Sequence, residues 1–179
     1  MSQATSQEKS SQIIDAMLGE LEREAKTTLR VLERVPDDKL SWKPHEKSMS
    51  LGQLALHIAN TPAGVSRMVL QDSYELNPAA FREQPSPASR AEVIAAFQQG
   101  LSQARENLQR FDDASAMSTW TLTSSGKQIM AAPKAAFLRN VLLNHSYHHR
   151  GQLSVYLRLL NIPVPSIYGP SADENPFAG

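Results

Sequence analysis

The sequence contains no cysteine, and this absence excludes several kinds of chemistry. Disulfides, thiolate metal sites, iron–sulfur clusters and a cysteine nucleophile all require a thiol. The sequence also lacks any run of the ~18–20 apolar residues that a membrane-spanning helix needs. Its N-terminal segment, MSQATSQEKSSQ, is polar and has no apolar stretch of the kind that a secretory signal carries. We therefore expect a cytoplasmic protein with no membrane partner.

An excess of charge of one sign is missing as well. Lysine and arginine number 18, aspartate and glutamate number 18, and the formal net charge is zero. Non-specific nucleic-acid binding and attachment to an anionic membrane surface both need a basic surface. We therefore expect no nucleic-acid partner. The length of 179 residues, with 41% hydrophobic and 20% charged residues, is typical of one globular domain.

Four segments of the chain show the apolar period of an α-helix. The first predicts an amphipathic helix of about seven turns. The four predicted helices cover residues 10–35, about 50–71, about 89–111 and about 134–160. Serines mark two of the helix starts, because Ser50 with Gln53, and Ser89 with Glu92, have the spacing of a capping box. Pro62 lies inside the second segment and should kink or interrupt that helix.

The connections between the predicted helices are long. Residues 112–133 alternate apolar and polar side chains around the turn signal Ser125-Gly126, which predicts a short hairpin before the last helix. The predicted fold class is all-α, a four-helix bundle with long connections. Residues 10–170 should form this single domain. We expect a disordered tail at residues 1–9 and an extended tail at residues 171–179.

Three of the five histidines lie within five residues of one another, in the fourth predicted helix. On a wheel of about 100° per residue, His145 and His149 lie one turn apart in the middle of the apolar stripe that should face the core, and Arg150 points away from it. Two imidazoles at this spacing can reach one metal ion. The alternative is a pair of core histidines satisfied by hydrogen bonds. The same stripe contains Leu138, Val141, Leu142, Gln152, Tyr156, Leu159 and Leu160.

A further histidine, His57, lies on the second predicted helix. It is next to Leu54 and Ile58, again on an apolar stripe. Side chains from facing helices meet in the core of an antiparallel bundle, so His57 can complete a three-histidine site. The remaining metal positions would then be open to water or substrate, which is typical of a catalytic metal site.

Other polar residues near these histidines have weaker assignments. His148 lies at the edge of the stripe and is the alternative ligand at the rim of the site, whereas His45 lies in a connection and is predicted to be a surface residue. Gln152, Asn60 and Thr61 are candidates to orient a histidine or a bound water. The sequence does not identify a catalytic residue beyond these candidates.

Two separate segments resemble the motifs of the DinB/YfiT-like superfamily. The run Asn144-His-Ser-Tyr-His-His-Arg-Gly-Gln-Leu153 and the downstream Pro163-Val-Pro-Ser-Ile-Tyr-Gly-Pro170 are similar to its fourth-helix signature and the segment after it. The other motif is similar to Trp42-Lys-Pro together with Ser48-Met-Ser-Leu-Gly-Gln-Leu-Ala-Leu-His57-Ile-Ala. The resemblance covers the chain from about residue 10 to residue 170.

This resemblance implies a bundle of up-down-down-up type, often assembled as a homodimer. It implies a divalent metal ion, usually zinc or nickel, held by three histidines that correspond to His57, His145 and His149. Some members resemble thiol-dependent transferases, which attach a low-molecular-weight thiol to a small electrophilic substrate. The DNA-damage inducibility of related members describes their regulation and not their chemistry.

Three functions fit these residues. The leading hypothesis is a metal-dependent enzyme that activates a thiol for transfer to an electrophile. The second is a metal-dependent hydrolase that uses metal-bound hydroxide, and the third is a non-catalytic metal-binding protein of a stress response. The core stripes of the second and fourth helices show no clearly placed Asp or Glu that could act as a general base, which favours thiol activation over hydrolysis. An all-histidine ligand set suits zinc, nickel, iron and manganese.

Overall fold

The computed structural model describes residues 11–77 and 85–178, so the predicted tail at 1–9 lies outside the described residues. Long helices pack around a common apolar core, and a small sheet lies beside them. The last helical run contains a π-helical segment between two α-helices. In chain order the helices are α1 (Gln12–Leu32), α2 (Leu51–Met68), α3 (Arg90–Leu108), the short α4 (Asp113–Ala116), α5 (Lys134–Phe137), the π-helical segment (Leu138–Asn144) and α6 (His145–Leu159).

The predicted starts of the second and third helices are confirmed, although only one has a complete capping box. At α2, the Ser50 hydroxyl accepts from the Gln53 amide and the Gln53 side chain accepts from the Ser50 amide. At α3, the Ser89 hydroxyl accepts from the amide of Glu92. The Glu92 carboxylate accepts instead from the amide of Ala88, at 2.7 Å, so this cap is shifted by one residue.

Pro62 does not interrupt α2, which is helical on both sides of it. Proline has no N–H to donate to the carbonyl four residues earlier, so the expected interruption has a real energetic basis. Tertiary packing outweighs it here, because Pro62 is buried and α2 lies directly against α3. Gly100 of α3 allows this approach, since a Cβ at that position would lie 2.9 Å from the Ala59 carbonyl oxygen.

The prediction of a mainly helical fold is confirmed, but the fold is not strictly all-α, because the structure contains a three-stranded sheet. The predicted hairpin is confirmed as β2 (Thr119–Ser124) paired antiparallel with β3 (Lys127–Pro133). Ser125 and Gly126 form its two-residue loop with φ of 51° and 72°, the left-handed conformation that a tight hairpin of this type requires. β1 (Ser73–Glu75) pairs parallel with β2. A strand of three residues leaves no detectable period in the sequence, so the sequence did not predict β1.

The last helical run differs from the predicted continuous α-helix in which face it buries. Arg150 is 1% exposed although the wheel placed it off the apolar stripe, and Leu159 is 58% exposed although the wheel placed it on the stripe. The π-helical segment lies between residues 138 and 144 and changes the period there. The core-facing side of α6 carries Arg150 and Leu153, roughly 100° around the helix from His145. The prediction that the histidines face the core is confirmed for His149, which is buried, whereas His145 is half-buried and lies away from the middle of the core-facing side.

The C-terminal residues 171–178 contain bends and a turn and lie against the helices. Asp173 pairs with Arg158 of α6, and Glu174 pairs with Arg30 of α1. Among the described residues, we find no helix of the length and apolar character needed to cross a membrane.

Candidate metal centre

The structure brings His57, His145 and His149 together. His57 comes from α2, and the other two come from the first two turns of α6. The Nε2 atom of His145 lies 3.1 Å from Nε2 of His57 and 3.1 Å from Nε2 of His149. One ring nitrogen from each residue lies within 4.8 Å of the others. Nitrogens bonded to one metal ion at about 2.0–2.1 Å would be about 3–3.4 Å apart, so the arrangement fits a metal ion.

Hydrogen bonds alone do not satisfy this cluster. An imidazole nitrogen carries either one hydrogen or one lone pair directed outward. Nε2 of His145 therefore makes one ordinary hydrogen bond at most, yet two other Nε2 atoms lie at 3.1 Å from it. A cation accepts a lone pair from each of the three nitrogens at once. The chemistry of the donor set thus favours a metal ion over a core network of histidines.

Gln152 orients one of the rings. Its Oε1 lies 2.7 Å from Nδ1 of His149, and because an amide oxygen only accepts, Nδ1 carries the hydrogen. The Nε2 lone pair of His149 then points into the cluster. Contacts of this kind fix the tautomer and direction of ligating histidines in known metal sites.

Burial lowers the pKa of all three histidines and so favours their neutral form. Desolvation lowers the pKa of His57 to about 4, with further lowering from the neighbouring charges of His149 and His145. Desolvation also lowers the pKa of His145, with contributions from His149 and His148. The pKa of His149 is lowered by burial, against an opposing effect of the hydrogen bond with Gln152. Neutral imidazole is the form that binds a metal.

The other two histidines lie outside the cluster. His148 is exposed, and its ring centroid lies 5.0 Å from that of His149. The converging ring nitrogens belong to His57, His145 and His149, and none comes from His148. His45 is exposed in the connection before α2, where its Nδ1 accepts from the Lys47 amide.

A cavity of about 360 Å³ adjoins the cluster. His57 and His145 line it, whereas His149 is not among the described residues that line it and contacts Gln152. Asn60 and Thr61, both candidates from the sequence, also line the cavity. The Thr61 hydroxyl donates to the His57 carbonyl at 2.8 Å, so this contact lies along the same helix and involves the His57 backbone.

Part of the cavity lining comes from elements that the sequence did not predict to lie near the histidines. Tyr74 of β1 and Leu122 of β2 line the cavity, and so does Val141 of the π-helical segment. None of the described residues around the cavity is Asp or Glu, which matches the absence of an acidic side chain from the predicted stripes. π-Helical segments are frequent at functional sites, so this segment is the one feature that could have indicated this wall of the cavity. Its position cannot be predicted from the spacing of apolar residues in the sequence.

A second polar cluster lies on the other side of α6. The Arg150 guanidinium is fully buried and pairs with the Glu24 carboxylate at 2.7 Å. It also donates to the Thr28 hydroxyl at 3.1 Å and to the Tyr168 hydroxyl, and it lies over the rings of Tyr147 and Tyr168. No pattern in the sequence indicated this cluster, because Arg150 lay outside the predicted apolar stripe.

The whole chain is similar to one family of proteins. The DinB family model matches residues 1–176. The uncharacterized protein YrdA of Bacillus subtilis (strain 168) is 26% identical over 168 residues, which cover 91% of this chain and 92% of YrdA. A crystal structure of a DinB-like protein from Bacillus cereus has a TM-score of 0.67 at 22% identity, with 86% of this chain and 97% of that chain covered. A DinB-like protein from Bacillus subtilis has a TM-score of 0.60 at 18% identity, with 86% and 96% covered.

Proposed function

This chain belongs to the DinB family, and we propose that it is a divalent-metal-dependent enzyme that transfers a low-molecular-weight thiol to a small electrophilic substrate. In this proposal His57, His145 and His149 are the metal ligands. The observation that supports it is the convergence of three Nε2 atoms, which hydrogen bonds alone do not satisfy. Three protein ligands leave further metal positions for a thiol or water, as in catalytic sites.

The three imidazoles fit a divalent ion, and we propose zinc or nickel because the family resemblance implies these two ions. Imidazole nitrogen suits zinc, copper, iron and nickel, and neutral ligands leave the ion its full positive charge. Iron or manganese are the other ions that such a site can take. When bound, the ion lowers the pKa of a thiol or water in its open position and so supplies a nucleophile near neutral pH.

In the proposed reaction the thiol loses its proton to water, and the thiolate forms a carbon–sulfur bond with the electrophile. The bond from that carbon to the leaving group breaks, and the leaving group departs with the bonding electrons. His57 and His145 border the cavity, so the electrophile reaches the site from that side. Gln152 holds the His149 ring in place. The lack of an acidic side chain among the described lining residues supports thiol transfer, because hydrolysis usually uses a general base.

The proposal is tested by turnover of the metal-loaded protein. Protein stripped with a chelator and reloaded with Zn²⁺ or Ni²⁺ is assayed with a thiol plus an aryl halide or epoxide, and in parallel with esters and amides. We expect the metal-loaded protein to consume free thiol in the presence of an electrophile and to leave the esters and amides unchanged. The His145→Ala variant should not consume thiol. Turnover of only the esters or amides would contradict thiol transfer and support the hydrolase. A stoichiometric metal without turnover in either panel would support a non-catalytic metal-binding protein.

The remaining expectations belong to the same proposal. We infer that the long helices form the four-helix bundle that is typical of this family.

The exposed apolar pair Val155 and Leu159, one turn apart on α6, supports assembly of a homodimer. Light scattering of the purified chain tests this, and Leu159→Glu should shift a dimer to monomer. A cytoplasmic location and a role in stress responses are further proposals, which a fluorescent fusion and expression measurements would test.

A further inference from the structure

The cavity beside the histidines is apolar and carries no formal charge. Apart from His57 and His145 at one end and Asn60 and Thr61 on α2, its walls are aliphatic, aromatic or glycine. No Asp, Glu, Lys or Arg occurs among the described residues that line it. A charged group transferred into such a space would lose its hydration without gaining a counter-charge, which is strongly unfavourable.

Gly64 keeps part of this space open. It lies inside α2, where glycine is less favourable than alanine because it loses more backbone freedom on folding. Packing does not explain it, since a Cβ built at this position would meet no described atom within 4 Å apart from its chain neighbours and the nearby backbone of its own helix. Gly64 lines the cavity, so any side chain there would project into the open volume. Gly100 on α3 differs, because an added Cβ there would meet the Ala59 backbone.

We propose that this cavity binds an uncharged, apolar small molecule and that Gly64 sets the room available to it. This inference rests on the proposed function, in which the bound molecule is the apolar part of the electrophilic substrate. Its reacting carbon would then lie next to His57 and His145. A volume of about 360 Å³ accommodates a compound of two or three rings. Leu122 of β2 and Val141 of the π-helical segment form the apolar wall against which the ligand packs.

The test compares two fluorescent probes that share one ring system. N-phenyl-1-naphthylamine is uncharged, and 1-anilinonaphthalene-8-sulfonate is the same molecule with a sulfonate. Both are titrated against the full chain, before and after removal of metal with a chelator. We expect the uncharged probe to bind at least about 10-fold more tightly than the sulfonate. Equal or tighter binding of the sulfonate would overturn the proposal.

Glycine variants locate the probe. Gly64→Leu should weaken binding of the uncharged probe by about 10-fold or more, because the new side chain fills the cavity. Gly151→Leu is the matched control, since Gly151 is also helical, has open space around its Cβ and lies outside the cavity. It should change binding by less than about 2-fold. Gly64→Ala gives a smaller loss and serves as the second variant if Gly64→Leu does not fold. Unchanged binding to folded Gly64→Leu, or equal losses at both glycines, would contradict the assignment.

The two proposals fail in different ways. Binding of the uncharged probe needs no metal, so its dependence on Gly64 should persist in chelator-treated protein. If that dependence holds while the metal-loaded protein turns over no substrate, the proposed enzyme is wrong and the cavity assignment stands. If thiol transfer occurs but Gly64→Leu leaves both turnover and probe binding unchanged, the cavity assignment is wrong and the enzyme stands.

Discussion

Two sides of α6 carry buried polar side chains, and they differ in how those side chains are satisfied. On one side, the donors of Arg150 meet oxygen acceptors from Glu24, Thr28 and Tyr168. On the other side, Nε2 of His145 meets the Nε2 atoms of His57 and His149, which are atoms of the same kind. Donors that meet acceptors satisfy one another by hydrogen bonds. Three ring nitrogens that meet one another need a further bonding partner, such as a cation. The Arg150 contacts therefore form a self-contained structural network, whereas the three histidines have the arrangement that fits a metal ion.

Replacement of His145 by alanine should have the largest effect. Its Nε2 lies at the centre of the cluster, so the variant leaves two histidines on different helices without their common neighbour. We expect the loss of stoichiometric Zn²⁺ or Ni²⁺ binding in calorimetric titrations and in metal analysis. His148→Ala is the control, because His148 is exposed next to the site and should keep its metal. Equal metal content in both variants would contradict the assignment of the histidine cluster as the metal-binding side of α6.

Replacement of Arg150 by methionine should act on stability. The change leaves the Glu24 carboxylate, which is only 19% exposed, without its ion pair. We expect the free energy of unfolding in urea to fall by about 3–5 kcal/mol, the usual cost of breaking a buried pair from one side. Metal bound per folded molecule should stay the same. A variant as stable as the wild type, or one that folds but loses metal, would show that the two sides are not separable.

Replacement of Gln152 by alanine should weaken metal binding without abolishing it. The side chain contacts Nδ1 of His149 and has no place in the cluster of ring nitrogens itself. Loss of such an orienting contact typically costs about 10–100-fold in metal affinity. Competition with a chromogenic chelator measures the change, and Gln152→Glu should restore most of the affinity because a carboxylate also accepts from Nδ1. If Gln152→Ala binds as tightly as the wild type, the contact does not position the ligand.

The smallest expected effect is a pH dependence of the metal-free protein. Because burial lowers the pKa of His57 to about 4 from 6.5, the unfolded chain binds more protons than the folded chain between these values. Stability should therefore fall as the pH is lowered from 6.5 towards 4. Urea unfolding of chelator-treated protein at pH 7 and pH 5 measures this. His57→Gln should be less sensitive over the same interval, and an identical slope in both proteins would contradict the role of His57.

The sequence predicted local features well. The helix starts at Ser50 and Ser89 and the hairpin around Ser125-Gly126 depend on neighbours within a few residues, and each is present in the structure. Other predictions failed where distant contacts outweighed local preference. Pro62 stays within a continuous helix because it is buried and α2 packs against α3, and β1 exists because it pairs with a strand that lies far along the chain.

The sequence by itself determined that His145 and His149 lie on one face of a helix, since the helical period places residues four apart on the same side. It also excluded thiolate ligands, because the chain has no cysteine. Only the tertiary structure decided that His57, 88 residues away, reaches 3.1 Å from His145, that this face borders a cavity, and that Arg150 is buried on the other side. The period of a helix is a property of adjacent residues, whereas the direction of its core depends on packing between distant segments.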